Sequence, residues 1–475
     1  MRARRLSLVT LTVAAFAAVA LPSPSLAQDT LPAEARADID RAVTEVLETT
    51  GAPSASIAIV RDGRIAYVRA YGLARLEPPL AAQPDMRYSI GSISKQFTAA
   101  AILLLAEDRK LSLDDPIGRW LPDLTRANDV TIRQVLSMTS GYQDFWPQDY
   151  VMPGMLQNVT AQQIVNEWAK KPLSFDPGTK WQYSNTNYVI AGLVVERVSG
   201  MPIVEFLRAR VFARLGMTSV VDSDRAALGP NDPMRYLRYA LGPPRVAPKE
   251  GKGWMFAAGE LAMTAGDLAR WDIATIDQAV LKPASYQAMQ TSTLLKNGLA
   301  TGYGLGVQVG AAGGRRQVSH TGEVSGFTAA NLIYPDDRAA IVVLTNLDAT
   351  GASSQIANRI GTALFRATGT DTDKDAGQAL ARAKTVFEGL QHGRIDRALF
   401  TSNANAYFSE AALADFAAGL GPLGPPQEFE QASQSLRGGM TARSFRIKAG
   451  PKTLRVSTFT MPDGKLEQFQ VAATE

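Results

Sequence analysis

The chain runs to 475 residues, 46% of them hydrophobic and 20% charged, with two histidines and no cysteine; it is too long for one ordinary core and too apolar to be disordered, so two globular domains are expected. The missing cysteine excludes disulfides, a cysteine nucleophile and a lipidated N-terminal thiol, and two distant histidines argue against a zinc hydrolase. The formal charge of +4 falls to +1 without Arg2, Arg4 and Arg5, and no basic run carries interleaved aromatics, so nucleic acid is not an expected partner.

Residues 1–27 read as a secretory signal peptide. Those three arginines precede an apolar run from Leu8 to Leu21, then Pro22, Pro24 and the small-residue site Ser25-Leu26-Ala27. The run is shorter than the ~20 residues that span a bilayer. Cleavage after Ala27 and release into the periplasm, with no stable membrane anchor, are expected. Ala33 to Thr49 follows as an amphipathic helix, with Ile39, Val43, Val46 and Leu47 on one stripe. Ser56 to Val60 and Arg64 to Ala70 flank Arg61-Asp62-Gly63, the turn of a hairpin. Gln96 to Ala106 is apolar nearly all round, so a buried helix is expected, with Ser92 and Lys95 at its N-terminal end.

A helical insert comes next, at Ala161 to Ala169, Tyr188 to Val198, Ile203 to Arg214 and Ala265 to Ala274. Alternation of Tyr303, Leu305, Val307 and Val309 predicts a strand. Phe327 to Tyr334 and Ala340 to Thr345 predict two more, joined through Pro335-Asp336-Asp337-Arg338, and a helix over Gly351 to Arg366 closes the unit. Strands at both ends with helices between them imply an α+β domain, 28–366, on one antiparallel sheet made from distant sequence. Small polar residues over 367–374 mark a linker. Residues 375–475 read as a small α+β module: helices near Ala376 to Gln391 and Glu410 to Ala418, then four strands broken at Arg437-Gly438-Gly439, Gly450-Pro451 and Pro462-Asp463-Gly464.

Three short motifs carry chemistry. In Ser92-Ile93-Ser94-Lys95 the two end residues share a helix face, so the amine can sit beside the hydroxyl and act as its base. Alone, that spacing arises by chance roughly once in a chain of this length, and a helix-start serine with an exposed lysine is then the better explanation. In Tyr183-Ser184-Asn185 a tyrosine whose pKa is lowered by nearby cations can relay a proton and an amide can orient a carbonyl. Its plain structural alternative is Asn185 capping a helix on which Tyr183 packs. His320-Thr321-Gly322 falls on, or just past, a strand ending at Val318. The glycine admits close backbone approach, and the histidine adds polar or cationic character, although a lone strand histidine is usually structural.

The order and wide spacing of the three motifs resemble the class C β-lactamase-like superfamily of serine hydrolases, which includes D-alanyl-D-alanine carboxypeptidases, D-aminopeptidases and esterases. Leu136-Ser137-Met138-Thr139-Ser140-Gly141, Leu215-Gly216-Met217-Thr218, and Ala258-Gly259-Glu260-Leu261 through Asp267-Leu268 are similar to further phrases of that superfamily, over about residues 31–366. The resemblance implies a β-lactamase/transpeptidase-like antiparallel sheet flanked by helices. It implies Ser92 as the acylated nucleophile, Lys95 and Tyr183 as proton carriers with the true base left open, and the backbone amides of Ser92 and Glu323 as an oxyanion hole. Asn185, His320, Thr321 and Gly322 would contact substrate, and Trp146 and Trp254 are candidate pocket walls. For Lys95 to accept a proton near neutrality its pKa must fall by about three units, roughly 4 kcal/mol.

Two positions depart from the pattern. His320 stands where class C β-lactamases carry lysine, and Glu323 stands where penicillin-binding members usually have serine or threonine. A carboxylate facing the pocket would repel a substrate carboxylate by about 1–4 kcal/mol. With Glu323 facing the pocket, neutral esters, amides or amine-bearing peptides are expected over β-lactams and D-Ala-D-Ala peptides; with its side chain in solvent only its amide matters, and the sequence leaves both open. A β-lactamase or carboxypeptidase stays open as an alternative, as does a penicillin-binding or sensing protein without turnover. The C-terminal module resembles nuclear-transport-factor-2-like domains, which implies binding or dimerisation. No metal is expected, and no dinucleotide or phosphate-loop fingerprint calls for a cofactor.

Overall fold

The computed structural model describes residues 30–473 apart from 149, 241, 368–374 and 438–439. The signal-peptide reading, the linker beyond Ala367 and the Gly438-Gly439 break lie outside the described residues. After helix α1 (Ala33–Thr50) come strands β1 (Ser54–Arg61) and β2 (Arg64–Arg75). Their turn has Asp62 at φ 53° and Gly63 at φ 72°, the left-handed pair that matches strand twist in a two-residue hairpin. A short β3 (Leu80–Ala81) pairs with β2 at one sheet edge. Helix α2 (Ser94–Glu107) is buried from Ser94 through Leu105.

The insert contains α3 (Asn185–Ser199) and α4 (Ala265–Ile276). Strands β4 (Gln308–Ala312), β5 (Arg315–Val324), β6 (Phe327–Tyr334) and β7 (Ala339–Thr345) and helix α5 (Ala352–Ala367) complete the unit. The seven strands lie in the order β3-β2-β1-β7-β6-β5-β4. Every neighbouring pair is antiparallel, and Ser56 of β1 faces Leu344 of β7 at the centre. Because side chains alternate across a strand, Ile341 and Val343 pack with Ile39, Val43, Ile356 and Ile360 of α1 and α5. Val342 and Leu344 join Phe97, Ile102 and Trp271 of α2 and α4 on the other face. The sheet is therefore a layer covered on both sides, as the α+β reading requires.

Two expectations fail locally. The run from Tyr303 to Val307 is not a strand, although Tyr303, Leu305 and Val307 are buried. Gly302 (φ 72°) and Gly306 (φ 76°) turn the chain there, so the sheet resumes only at Gln308. The strand expected to end at Val318 is β5, which begins after the Gly313-Gly314 turn and runs on to Val324, so His320 lies on it in mid-strand.

The C-terminal residues build their own layer. Helices α6 (Ala376–Gln391) and α7 (Glu410–Leu420) accompany a four-stranded antiparallel meander, β8 (Glu428–Arg437), β9 (Met440–Ala449), β10 (Lys452–Thr460) and β11 (Leu466–Ala473). Its buried core, including Phe387, Leu390, Phe445, Ile447, Val456 and Phe469, draws no residue from before Ala383. Among the described residues no helix is long and apolar enough to cross a membrane.

Candidate active site

Ser92 sits in a 3₁₀ turn, Gly91–Ile93, that runs directly into α2. Gly91 takes φ 52°, and a side chain there would press on strand β5, its Cβ 2.7 Å from the Glu323 amide nitrogen. From the opposite side, a Cβ on Gly322 would lie 1.9 Å from the Ile90 carbonyl oxygen and 3.3 Å from the Ser92 nitrogen. Two glycines thus let a turn and a strand touch main chain to main chain. That contact brings the Ser92 and Glu323 amides to one locus, the arrangement an oxyanion requires.

Lys95, one turn beyond Ser92, is fully buried. Its Nζ lies 2.9 Å from Ser92 Oγ, 2.8 Å from Asn185 Oδ1 and 2.8 Å from the Ala258 carbonyl oxygen. The two carbonyls can only accept, so they take two of its hydrogens. The third direction points at Ser92, and in the neutral amine it is the lone pair. Burial lowers the Lys95 pKa to about 7, against the nearby charge of Asp144, which raises it. The amine is therefore poised to take the hydroxyl proton.

Tyr183 precedes α3 and hydrogen-bonds Ser92, with Lys95 Nζ 5.0 Å from its ring centroid. Burial pushes its pKa well above the ordinary value. A phenol lowered by neighbouring cations is therefore not what the site contains, because burial outweighs every favourable contact to the phenolate; Tyr183 is a protonated phenol. Asn185 opens α3 as its first residue, and Ser184 takes the cap position without a side-chain bond. The Asn185 amide hydrogens face Asp144 Oδ2 and the Trp146 carbonyl, each at 3.3 Å, so its oxygen serves Lys95.

His320 is buried on β5. Its Nδ1 lies 2.6 Å from the Thr321 carbonyl and its Nε2 3.0 Å from the Tyr303 hydroxyl. The carbonyl accepts only, which puts the ring proton on Nδ1 and makes Tyr303 donate to Nε2. Burial, then the Lys95 charge, lowers the His320 pKa to about 4. Of the polar or cationic character left open at this position, the polar one holds near neutrality. Thr321 is exposed at the mouth. Glu323 is exposed as well, and its Oε1 accepts the Ala349 amide at 2.6 Å.

These groups open on a cavity of about 440 Å³ that Trp146 and Trp254 both line. Phe145 and Trp254 form an aromatic wall, ring centroids 6.0 Å apart. Asp144, Glu323 and Asp348 contribute carboxylates to the lining, which among the described residues includes no lysine or arginine. Sequence reasoning missed Asp144, Asp348, Tyr303 and the Ala258 carbonyl. Only Ala258 stood in a phrase that had been singled out, and nothing in that phrase marked its carbonyl as a lysine acceptor. Among the described residues no group of three or more histidine, aspartate or glutamate side chains is arranged to hold a metal.

A family model described as Beta-lactamase matches residues 39–363. The chain belongs to the Beta-lactamase family. The superfamily that the three motifs resemble is thereby the right one, and the fold is that of its serine hydrolases. Penicillin-binding protein 4* of Bacillus subtilis is 28% identical over 309 residues, 61% of this chain and 67% of its own length. A D-aminopeptidase of Brucella anthropi is 26% identical over 326 residues, 65% of this chain but only 58% of its own length. Among solved structures, a D-stereospecific amidohydrolase from Streptomyces sp. superposes with a TM-score of 0.60 at 26% identity, covering 67% of this chain and 96% of that one.

Proposed function

We propose that this Beta-lactamase family member is an exported serine hydrolase of the esterase or D-amino-acid peptidase type, forming an acyl-enzyme on Ser92. The observation that carries the reading is the buried Lys95 amine, held by two carbonyls and 2.9 Å from Ser92 Oγ. Ser92 passes its proton to Lys95 and attacks the substrate carbonyl carbon. The oxyanion lies between the Ser92 and Glu323 amides. Collapse breaks the bond to the leaving group, which takes its proton from Lys95 or through the Tyr183 phenol. Water then repeats the sequence on the acyl-enzyme. Asn185 meets substrate by exchanging one of its two long amide bonds, while Thr321 at the mouth and His320 and Gly322 beneath it shape the wall.

The acyl group we assign is apolar and uncharged or amine-bearing. An aromatic wall favours an apolar side chain, and three carboxylates in the lining oppose a substrate carboxylate. The D-aminopeptidase and amidohydrolase relatives fit this choice better than a β-lactamase does. Export rests on the leader at 1–27. The division into 28–366, a linker at 367–374 and a binding or dimerising module at 375–475 belongs to the same proposal.

Three substrates test it on the purified mature protein: p-nitrophenyl acetate, a D-amino acid amide and nitrocefin. The ester and the amide are expected to turn over, with nitrocefin about 5- to 10³-fold lower in kcat/KM, the range that 1–4 kcal/mol of repulsion gives. Glu323→Thr, which keeps the amide, should recover about tenfold toward nitrocefin. Fast nitrocefin hydrolysis by the wild type would refute the substrate assignment. An acyl-enzyme that persists in intact mass without turnover would instead support the penicillin-binding reading. Deleting residues 375–475 is expected to leave ester hydrolysis measurable; loss of activity with a folded remainder would refute the division.

A further inference from the structure

Asp144 lies in the loop three residues after Gly141, in none of the motifs. Its Oδ1 accepts the main-chain amides of Asn185 at 2.9 Å and Trp146 at 3.1 Å, and its Oδ2 accepts Asn185 Nδ2 at 3.3 Å. A carboxylate offers no donor, so the NH₂ end of Asn185 is obliged to face it and the oxygen end to face Lys95. The reverse orientation would set the amide NH₂ against the amine. The carboxylate also sits at the N-terminus of the 15-residue helix α3, where the helix dipole favours an anion.

The charged and titratable groups around Lys95 come from each element packed on it. Tyr183 and Tyr188 present their rings at 5.0 and 5.5 Å, His320 faces it from β5 as a neutral ring, and Asp144 is the carboxylate whose charge it feels. An anion near an amine favours the protonated form, in opposition to burial.

We infer that Asp144 is a positioning residue for Lys95: it turns the Asn185 amide so that its oxygen faces the amine. The inference rests on the acyl-enzyme reading above. Burial moves the Asp144 pKa above the ordinary carboxylate range, against the bonds from the Trp146 and Asn185 amides, which lower it.

The test is the rate of Ser92 labelling by a fluorophosphonate probe from pH 5 to 9, which needs no knowledge of the substrate. In Asp144→Asn and Asp144→Ser the plateau rate should fall about tenfold, and the acid limb should move to lower pH by roughly 0.5–1 unit, because the anion favouring the ammonium is gone. Asp144→Glu keeps the charge and should leave the limb at the wild-type pH. A loss of packing alone would lower the plateau and leave the limb unmoved. Neutral variants whose limb coincides with the wild type, or a glutamate variant whose limb shifts as theirs does, would overturn the inference. Wild-type protein that the probe does not label at Ser92 would fail the acyl-enzyme reading itself, a separate result.

Discussion

Ser92→Ala should lower turnover of any accepted substrate by at least about 10⁴-fold, and Lys95→Met should lower it nearly as far. The double variant should be no worse than either, because the hydroxyl and the amine act on one proton. Additive losses would mean that Lys95 is not the partner of Ser92. In the wild type, with the amine near pKa 7, kcat/KM should rise about tenfold per unit below pH 7 and level off above it. The same shift bears on stability. Between pH 7 and 9 the unfolded chain holds the Lys95 proton and the folded chain does not, so folding becomes more favourable as pH climbs, by up to about 1.4 kcal/mol per unit. Below pH 7 both states hold the proton and this slope vanishes. Urea titrations across that range should show the rise in the wild type and lose it in Lys95→Met. A wild-type acid limb centred below pH 5 would contradict the assignment.

Gly322→Ala is the second large effect. Its new Cβ would stand 1.9 Å from the Ile90 carbonyl oxygen, well inside van der Waals contact, and the obstacle is main chain, which cannot swing aside. Strand β5 and the Ser92 turn must part by about an ångström or more. Loss of an oxyanion donor costs about 10²–10³ in rate, and forcing a methyl into a packed contact costs about 1–3 kcal/mol of stability. Gly310 of β4 has open space where its Cβ would go, so Gly310→Ala is the matched control and should alter neither. Equal activity in the two alanine variants would show that the contact does not govern the reaction.

What could be read from the sequence follows the range of the physics behind each feature. The Asp62-Gly63 hairpin and the buried α2 are set by local turn chemistry and unbroken apolar character, so both were legible. Ser92, Lys95, Tyr183, Asn185 and His320 were named by residue type and spacing, and they surround one cavity or the amine beneath it. Asp144 was not legible, because its effect is exerted on an amide 41 positions away and no local pattern accompanies it. The Ala258 carbonyl is main chain and carries no signature. The false strand at Tyr303–Val307 arose because glycines alternating with apolar residues imitate a period of two while the glycines bend the chain. The charge of His320 stayed open in the sequence because protonation follows burial, which composition does not reveal.

The central pairing of β1 with β7 also constrains how the molecule is made. Ser54 and Asn346, joined by a hydrogen bond, stand 292 positions apart, and closing so long a loop costs about 5 kcal/mol of chain entropy. The first hairpin therefore emerges with one edge of β1 unpaired, and it stays so until nearly three hundred further residues have appeared. Such an open edge invites pairing with other chains. Biogenesis of this protein thus depends on shielding its earliest strand during synthesis, and a holdase that coats nascent chains should raise its yield more than that of an enzyme whose sheet forms from sequential neighbours.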